Sequence, residues 1–200
     1  MVGEVFVPCV TWRGDWADDP RFAPLADRLR AFADCRDWLD AERLSAESAR
    51  LGLASCAGAP IRFVLQRHGA TRGGDVLASR YDVRIHREGA VSTRPRNAHD
   101  FFNAMVWLSF PRSKAALSAR QHDAWCERLA PGQRRVPGAR TREQDTLSML
   151  DEGGILVVPH GVDPGDVDAA LAARDPAAVS RWARAGELTV AAFGHALYEH

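Results

Sequence analysis

The run Tyr81-Asp82-Val83-Arg84-Ile85-His86-Arg87-Glu88-Gly89-Ala90-Val91-Ser92-Thr93 decides how this chain is read. Apolar Tyr81, Val83 and Ile85 alternate with polar Asp82, Arg84 and His86, the period of a strand with one buried face. Arg87-Glu88-Gly89 then turns the chain, and Ala90 to Thr93 returns beside it, so the expectation is a β-hairpin. Upstream, Ile61 to Gln66 also reads as a strand, followed by a polar loop over 67–74. Ile155 to Val158 is a short buried strand able to extend the same sheet.

The pattern around these strands is helical. Trp12, Trp16 and Phe22 lead into Leu25, Leu29 and Phe32, spaced by three or four, then Trp38, Leu39 and Leu44. Small residues over 52–60 form a connection. Pro95 ends the returning strand, and Asn97 is a good helix N-cap with Asp100 three residues on. That helix should stop near Pro111. Residues 112–130 make a second, amphipathic helix, 131–141 an exposed loop, and 142–151 a third helix ended by Gly153-Gly154. Asp163-Pro164 and Asp175-Pro176 open two more, and 188–199 is apolar, helical or partly extended. The expected fold class is α+β: a small antiparallel β-sheet, the hairpin plus one or two strands, covered by several helices. The 200 residues are expected to form one domain, with a helical N-terminal segment over 1–55 and a core over 60–199.

Composition limits the function classes. No apolar run approaches the ~18 residues of a membrane span, and the first residues lack a basic leader with an apolar core. The four cysteines, Cys9, Cys35, Cys56 and Cys126, show no C-x-x-C spacing. They are expected to be reduced, mostly buried thiols of a cytoplasmic protein. Net charge is zero, yet residues 51–150 hold 15 Arg and Lys114 against 8 acidic residues, a net +8 between acidic ends. Such a balance disfavours indiscriminate binding of nucleic acid and leaves room for one local anion site, unless the basic middle simply packs on the acidic ends. P-loop, Rossmann, nucleophile-elbow and H-E-x-x-H motifs are absent.

The densest cluster of reactive residue types is Thr93-Arg94-Pro95-Arg96-Asn97-Ala98-His99-Asp100-Phe101-Phe102-Asn103. It lies at a predicted helix start, where unpaired N–H groups favour an anion. Arg94 and Arg96 add forks suited to phosphate or carboxylate. His99 and Asn103 share a helix face, and Asp100 lies beside them. An equally ordinary reading makes Asn97 and Asp100 helix caps and His99 a structural histidine. His195 and Glu199 form an i, i+4 pair if that segment is helical. Asp151 and Glu152 stand at a helix end, where negative charge needs compensation by a cation or a metal.

The stretch T-R-P-R-N-A-H-D-F-F-N-A-M-V-W-L-S-F-P-R-S-K-A-A-L (93–117) closely resembles the signature of a bacterial family of uncharacterised proteins, the domain of unknown function 3025 family. F-V-L-Q (63–66), Y-D-V-R-I (81–85), D-T-L-S-M-L-D-E-G-G (145–154) and F-G-H-A-L-Y-E (193–199) support the resemblance, which spans residues ~60–199. Family members usually carry an aromatic residue where Ala98 stands and Asn where Ser118 stands. The resemblance implies that Arg94, Asn97, His99, Asp100, Asn103, Lys114, Asp145, Asp151, Glu152, His195 and Glu199 travel together. It implies no established reaction.

That set holds the ingredients of a hydrolytic or metal-assisted site. The expectation is a hydrolase-type enzyme acting on a small anionic substrate. His99 is the acid/base, Asp100 or Asp145 orients it, and Arg94, Asn97, Asn103 and Lys114 hold the substrate. Asp151, Glu152, His195 and Glu199 are further candidates. The alternative is a non-catalytic binding or protein-interaction module in which 93–117 is a structural nucleus. Metal, cofactor and oligomeric state are left open, and neither a membrane nor nucleic acid is expected as a partner.

Overall fold

The computed structural model describes residues 12–66, 77–78, 80–129 and 138–199. The predicted loop at 67–74, most of the loop at 131–141 and Cys9 lie outside them. Two 3-10 turns (Trp16–Asp18 and Pro20–Leu25) lead into α1 (Ala26–Arg30) and α2 (Ala41–Arg50). Then follow β1 (Arg62–Leu65), α3 (Tyr81–Glu88), β2 (Ala90–Thr93), α4 (Ala98–Ser109), α5 (Pro111–Cys126) and α6 (Arg142–Gly153). β3 (Ile155–Pro159), α7 (Pro164–Ala172), α8 (Pro176–Arg184), β4 (Leu188–Ala192) and a 3-10 turn, His195–Glu199, are the last elements among the described residues. The class is α+β, but the sheets are not the expected ones. β1 pairs with β2 in parallel, Arg62 opposite Ala90 and Leu65 opposite Thr93. β3 pairs with β4 antiparallel in a second two-stranded sheet instead of extending the first.

The predicted hairpin over 81–93 is therefore corrected: Tyr81–Glu88 is a helix. The alternation that suggests a strand arises because α3 is buried on two sides. Val83 enters a small cluster with Leu77 and Trp125, while Ile85 enters the main core with Phe63, Val91 and Trp107. Two apolar residues two apart, about 200° around a helix, mimic period two when each meets its own core. Gly89 is the left-handed end of α3, not a hairpin turn. Its φ is 67°, its N–H donates to the carbonyls of Arg84 and Ile85, and a Cβ there would strike the Pro60 carbonyl.

The helix caps read at Asn97, Asp163 and Asp175 form, whereas Ile155–Pro159, expected to be a buried strand, is exposed or half-buried along its length. Asn97 Oδ1 accepts from the Asp100 N–H. Thr141 and Gln144 close a capping box on α6, and Asp163 and Asp175 cap α7 and α8. α4 is the central element, buried from Asp100 to Leu108. Trp16 and Phe22 pack on Phe101 and Phe102 at its N-terminal end. The outer edge of β1 is covered by α2, whose Ser45 hydroxyl bonds both the N–H and the carbonyl of Phe63. Among the described residues no helix is long and apolar enough to cross a membrane. Cys35, Cys56 and Cys126 are free thiols, and only Cys35 is fully buried.

Candidate functional site

Three segments far apart in sequence meet beside the start of α4. The first is α4 itself, which presents His99 from its first turn. The second is the C-terminal 3-10 turn. Tyr198 anchors it by stacking on Phe22 and Phe102 and by donating its hydroxyl to the Ala192 carbonyl at 2.6 Å. The third is the end of α6. Gly194 lies so close to it that a Cβ would strike the Glu152 carbonyl and the Gly153 nitrogen.

This packing sets four groups in a row. His195 Nδ1 donates to the Asp151 carbonyl at 2.8 Å, satisfying one of the carbonyls that a helix end leaves open. His195 Nε2 and His99 Nε2 are 3.0 Å apart, with the rings close to edge-on at 71°. His99 Nδ1 lies 2.7 Å from Glu199 Oε1. His195 is 3% exposed. Burial, helped by the charge of Lys114, pushes it from the ordinary 6.5 down to about 4. The His99 side chain remains 35% exposed and is reachable from outside.

His99 and His195 line a cleft of about 480 Å³ together with Tyr81, Asp82, Arg84 and Arg94. Asp100, Asn103, Gln121, Arg140, Asp151 and Glu152 complete most of its polar wall. Arg94 grips Asp100 with Nε and Nη2, both at 2.9 Å, and with its backbone N–H at 2.6 Å. Asn97 caps the helix and also touches Arg94 at 3.4 Å. Arg96 points elsewhere, to Asp37 at 2.8 Å. Behind the wall Lys114, 3% exposed, bonds Asn103 Oδ1 at 2.8 Å and the Asp151 carboxylate. The compensation needed at the end of α6 is thus a buried lysine. Asn103 in turn donates to the Tyr81 hydroxyl at 2.9 Å, and burial holds that phenol well above its usual range.

The structure thus brings His99, His195, Asp151, Glu152, Arg94, Asp100 and Asn103 to one cleft, with Glu199 and Lys114 directly behind it. Asn97 stands at the helix cap beside Arg94. Asp145 is exposed in the first turn of α6 and is not part of the lining. Sequence reasoning missed Arg84, Arg140, Gln121, Tyr81 and Asp82. Arg84, Tyr81 and Asp82 belong to the stretch read as a strand, and as a helix they turn toward the cleft. Asp82 is held up by burial and meets the Trp125 indole at 3.5 Å. Arg140 bonds the Ser148 hydroxyl at 3.1 Å. Among the described residues no three His, Cys, Asp or Glu side chains are placed to hold one metal ion.

The model of the family described as Protein of unknown function (DUF3025) matches residues 61–200. Nothing among curated proteins or solved structures matches the chain.

Proposed function

The chain belongs to the family described as Protein of unknown function (DUF3025), and we propose that its cleft is the active site of a hydrolase acting on a small substrate with an anionic group. The observation that carries this reading is the contact of Glu199 with His99 Nδ1 at the wall of a polar cleft. A carboxylate on one ring nitrogen fixes the orientation of an imidazole and stabilises its cation. The other nitrogen, 3.0 Å from His195 Nε2, exchanges a proton with substrate by giving up that contact. Glu199 takes the orienting role that the sequence suggested for Asp100 or Asp145, because both Asp100 oxygens are engaged by Arg94.

Arg84 and Arg140 line the same cleft: Arg84 bonds the Ser92 hydroxyl at 3.3 Å and lies 3.9 Å from the exposed Glu88 carboxylate, and Arg140 bonds the Ser148 hydroxyl at 3.1 Å. Their charges, with the outer part of the half-exposed Arg94 fork, suit a phosphate or carboxylate. Water is the attacking group. Its oxygen bonds the phosphoryl or acyl centre, the bond to the leaving group breaks, and the leaving oxygen gains a proton. The test is turnover of a panel of small phosphate and carboxylate esters by the purified chain. Native protein should hydrolyse one class, and His99→Gln should lose about 100-fold or more of that rate. No turnover of any ester, or equal rates in the variant, would overturn the reading.

A further inference from the structure

We infer that His99 is the general acid of this site: it carries a hydrogen on each ring nitrogen, parks the Nε2 hydrogen on His195, and delivers it to the leaving group. This rests on the hydrolase reading above and assigns the direction of proton transfer that a bare acid/base role leaves open.

The argument is a count of hydrogens. A backbone carbonyl only accepts, so the 2.8 Å contact to Asp151 O places a hydrogen on His195 Nδ1. His195 is buried and faces Lys114, and both disfavour a second proton on its ring. Its Nε2 is therefore an acceptor, and the nitrogen 3.0 Å away, His99 Nε2, must be the donor. On the other side of the His99 ring stands a carboxylate oxygen at 2.7 Å, a contact that also needs a hydrogen. The His99–Glu199 pair thus holds one proton more than a neutral imidazole beside a carboxylate. Arg94 faces Glu199, Lys114 and Asp151 face His195, and Asp100 and Glu152 line the same cleft.

The step balances. The bond from the reacting centre to the leaving group breaks, the electron pair goes to the leaving oxygen, and that oxygen takes the hydrogen from His99 Nε2. The attacking water bonds the reacting centre and returns a hydrogen to the same nitrogen. His195 touches His99 and not the reacting atoms, so it is a positioning residue that holds the Nε2 hydrogen toward the cleft wall between turnovers.

Nitrogen-15 NMR of the 200-residue chain with labelled histidines tests this without any substrate. Near neutral pH, His99 should show two protonated nitrogens and His195 one, at Nδ1. In Glu199→Gln, His99 should show one bare nitrogen, while an unchanged His195 pattern reports an intact fold. A bare nitrogen on native His99, or two hydrogens retained in Glu199→Gln, would overturn the inference while leaving a hydrolase in which His99 acts first as base. Two hydrogens on native His99, lost in the variant, without turnover of any ester would support this proton placement and count against the hydrolase reading alone.

Discussion

His99 and His195 stand 96 residues apart in the chain, yet their Nε2 atoms meet at 3.0 Å. The contact joins the first turn of α4 to the C-terminal 3-10 turn, and its partners reach the end of α6 on one side and Glu199 on the other.

Stability should depend on pH through His195. Its folded-state pKa, about 4, lies below its ordinary 6.5, so the unfolded chain binds the proton more readily. Stability is then full above about pH 6.5 and falls as the pH drops toward 4, by up to about 3 kcal/mol from this group. Urea midpoints across that range should fall less steeply in His195→Gln than in the native chain; parallel slopes would show that His195 is not the sensor.

Lys114 is buried against Asp151 and Asn103. Lys114→Met should cost about 3–5 kcal/mol, because it leaves a partly buried carboxylate without its cation. Adding Asp151→Leu should recover part of that loss, since a matched apolar pair carries no unpaired charge. Urea unfolding of the two single variants and the double variant measures the coupling, and simple additivity would contradict it.

Gly194 and Gly153 are neighbours with opposite tolerances. Gly194→Ala drives a methyl into the Glu152 carbonyl and the Gly153 nitrogen, both backbone atoms that yield little. It should cost about 1–3 kcal/mol and displace His195. Gly153→Ala meets nothing within 4 Å at the end of α6 and should be neutral or slightly stabilising. Thermal melts of both, with the histidine NMR pattern, distinguish local displacement from general loss of structure.

An anion should bind the cleft and raise the melting temperature, with an effect that weakens in salt. Arg140→Ala or Arg84→Ala should diminish the shift produced by millimolar phosphate at matched ionic strength. Arg96→Ala should retain it, because Arg96 pairs with Asp37 outside the cleft. Loss of the shift in Arg96→Ala alone would place the anion at that arginine instead.

Local chemistry was legible wherever a residue acts on its own backbone. Asn97, Asp163 and Asp175 cap helices because a side-chain oxygen needs only an N–H two or three residues away. His99 was legible as an imidazole in the first turn of the helix that Asn97 caps. Tyr81–Glu88 was not legible, because its alternating pattern has two physical causes, one face of a sheet or two faces of a helix between separate cores.

The sequence by itself determined an α+β chain, the centre and ends of α4, and the reactive residue types around His99. Tertiary structure alone decided that β2 pairs in parallel with β1, that Arg84 and Arg140 reach the cleft, and that Glu199 and His195 close on the two nitrogens of His99. Those outcomes depend on contacts between segments tens of residues apart. They are set by which apolar faces can be buried together, and no local spacing records them.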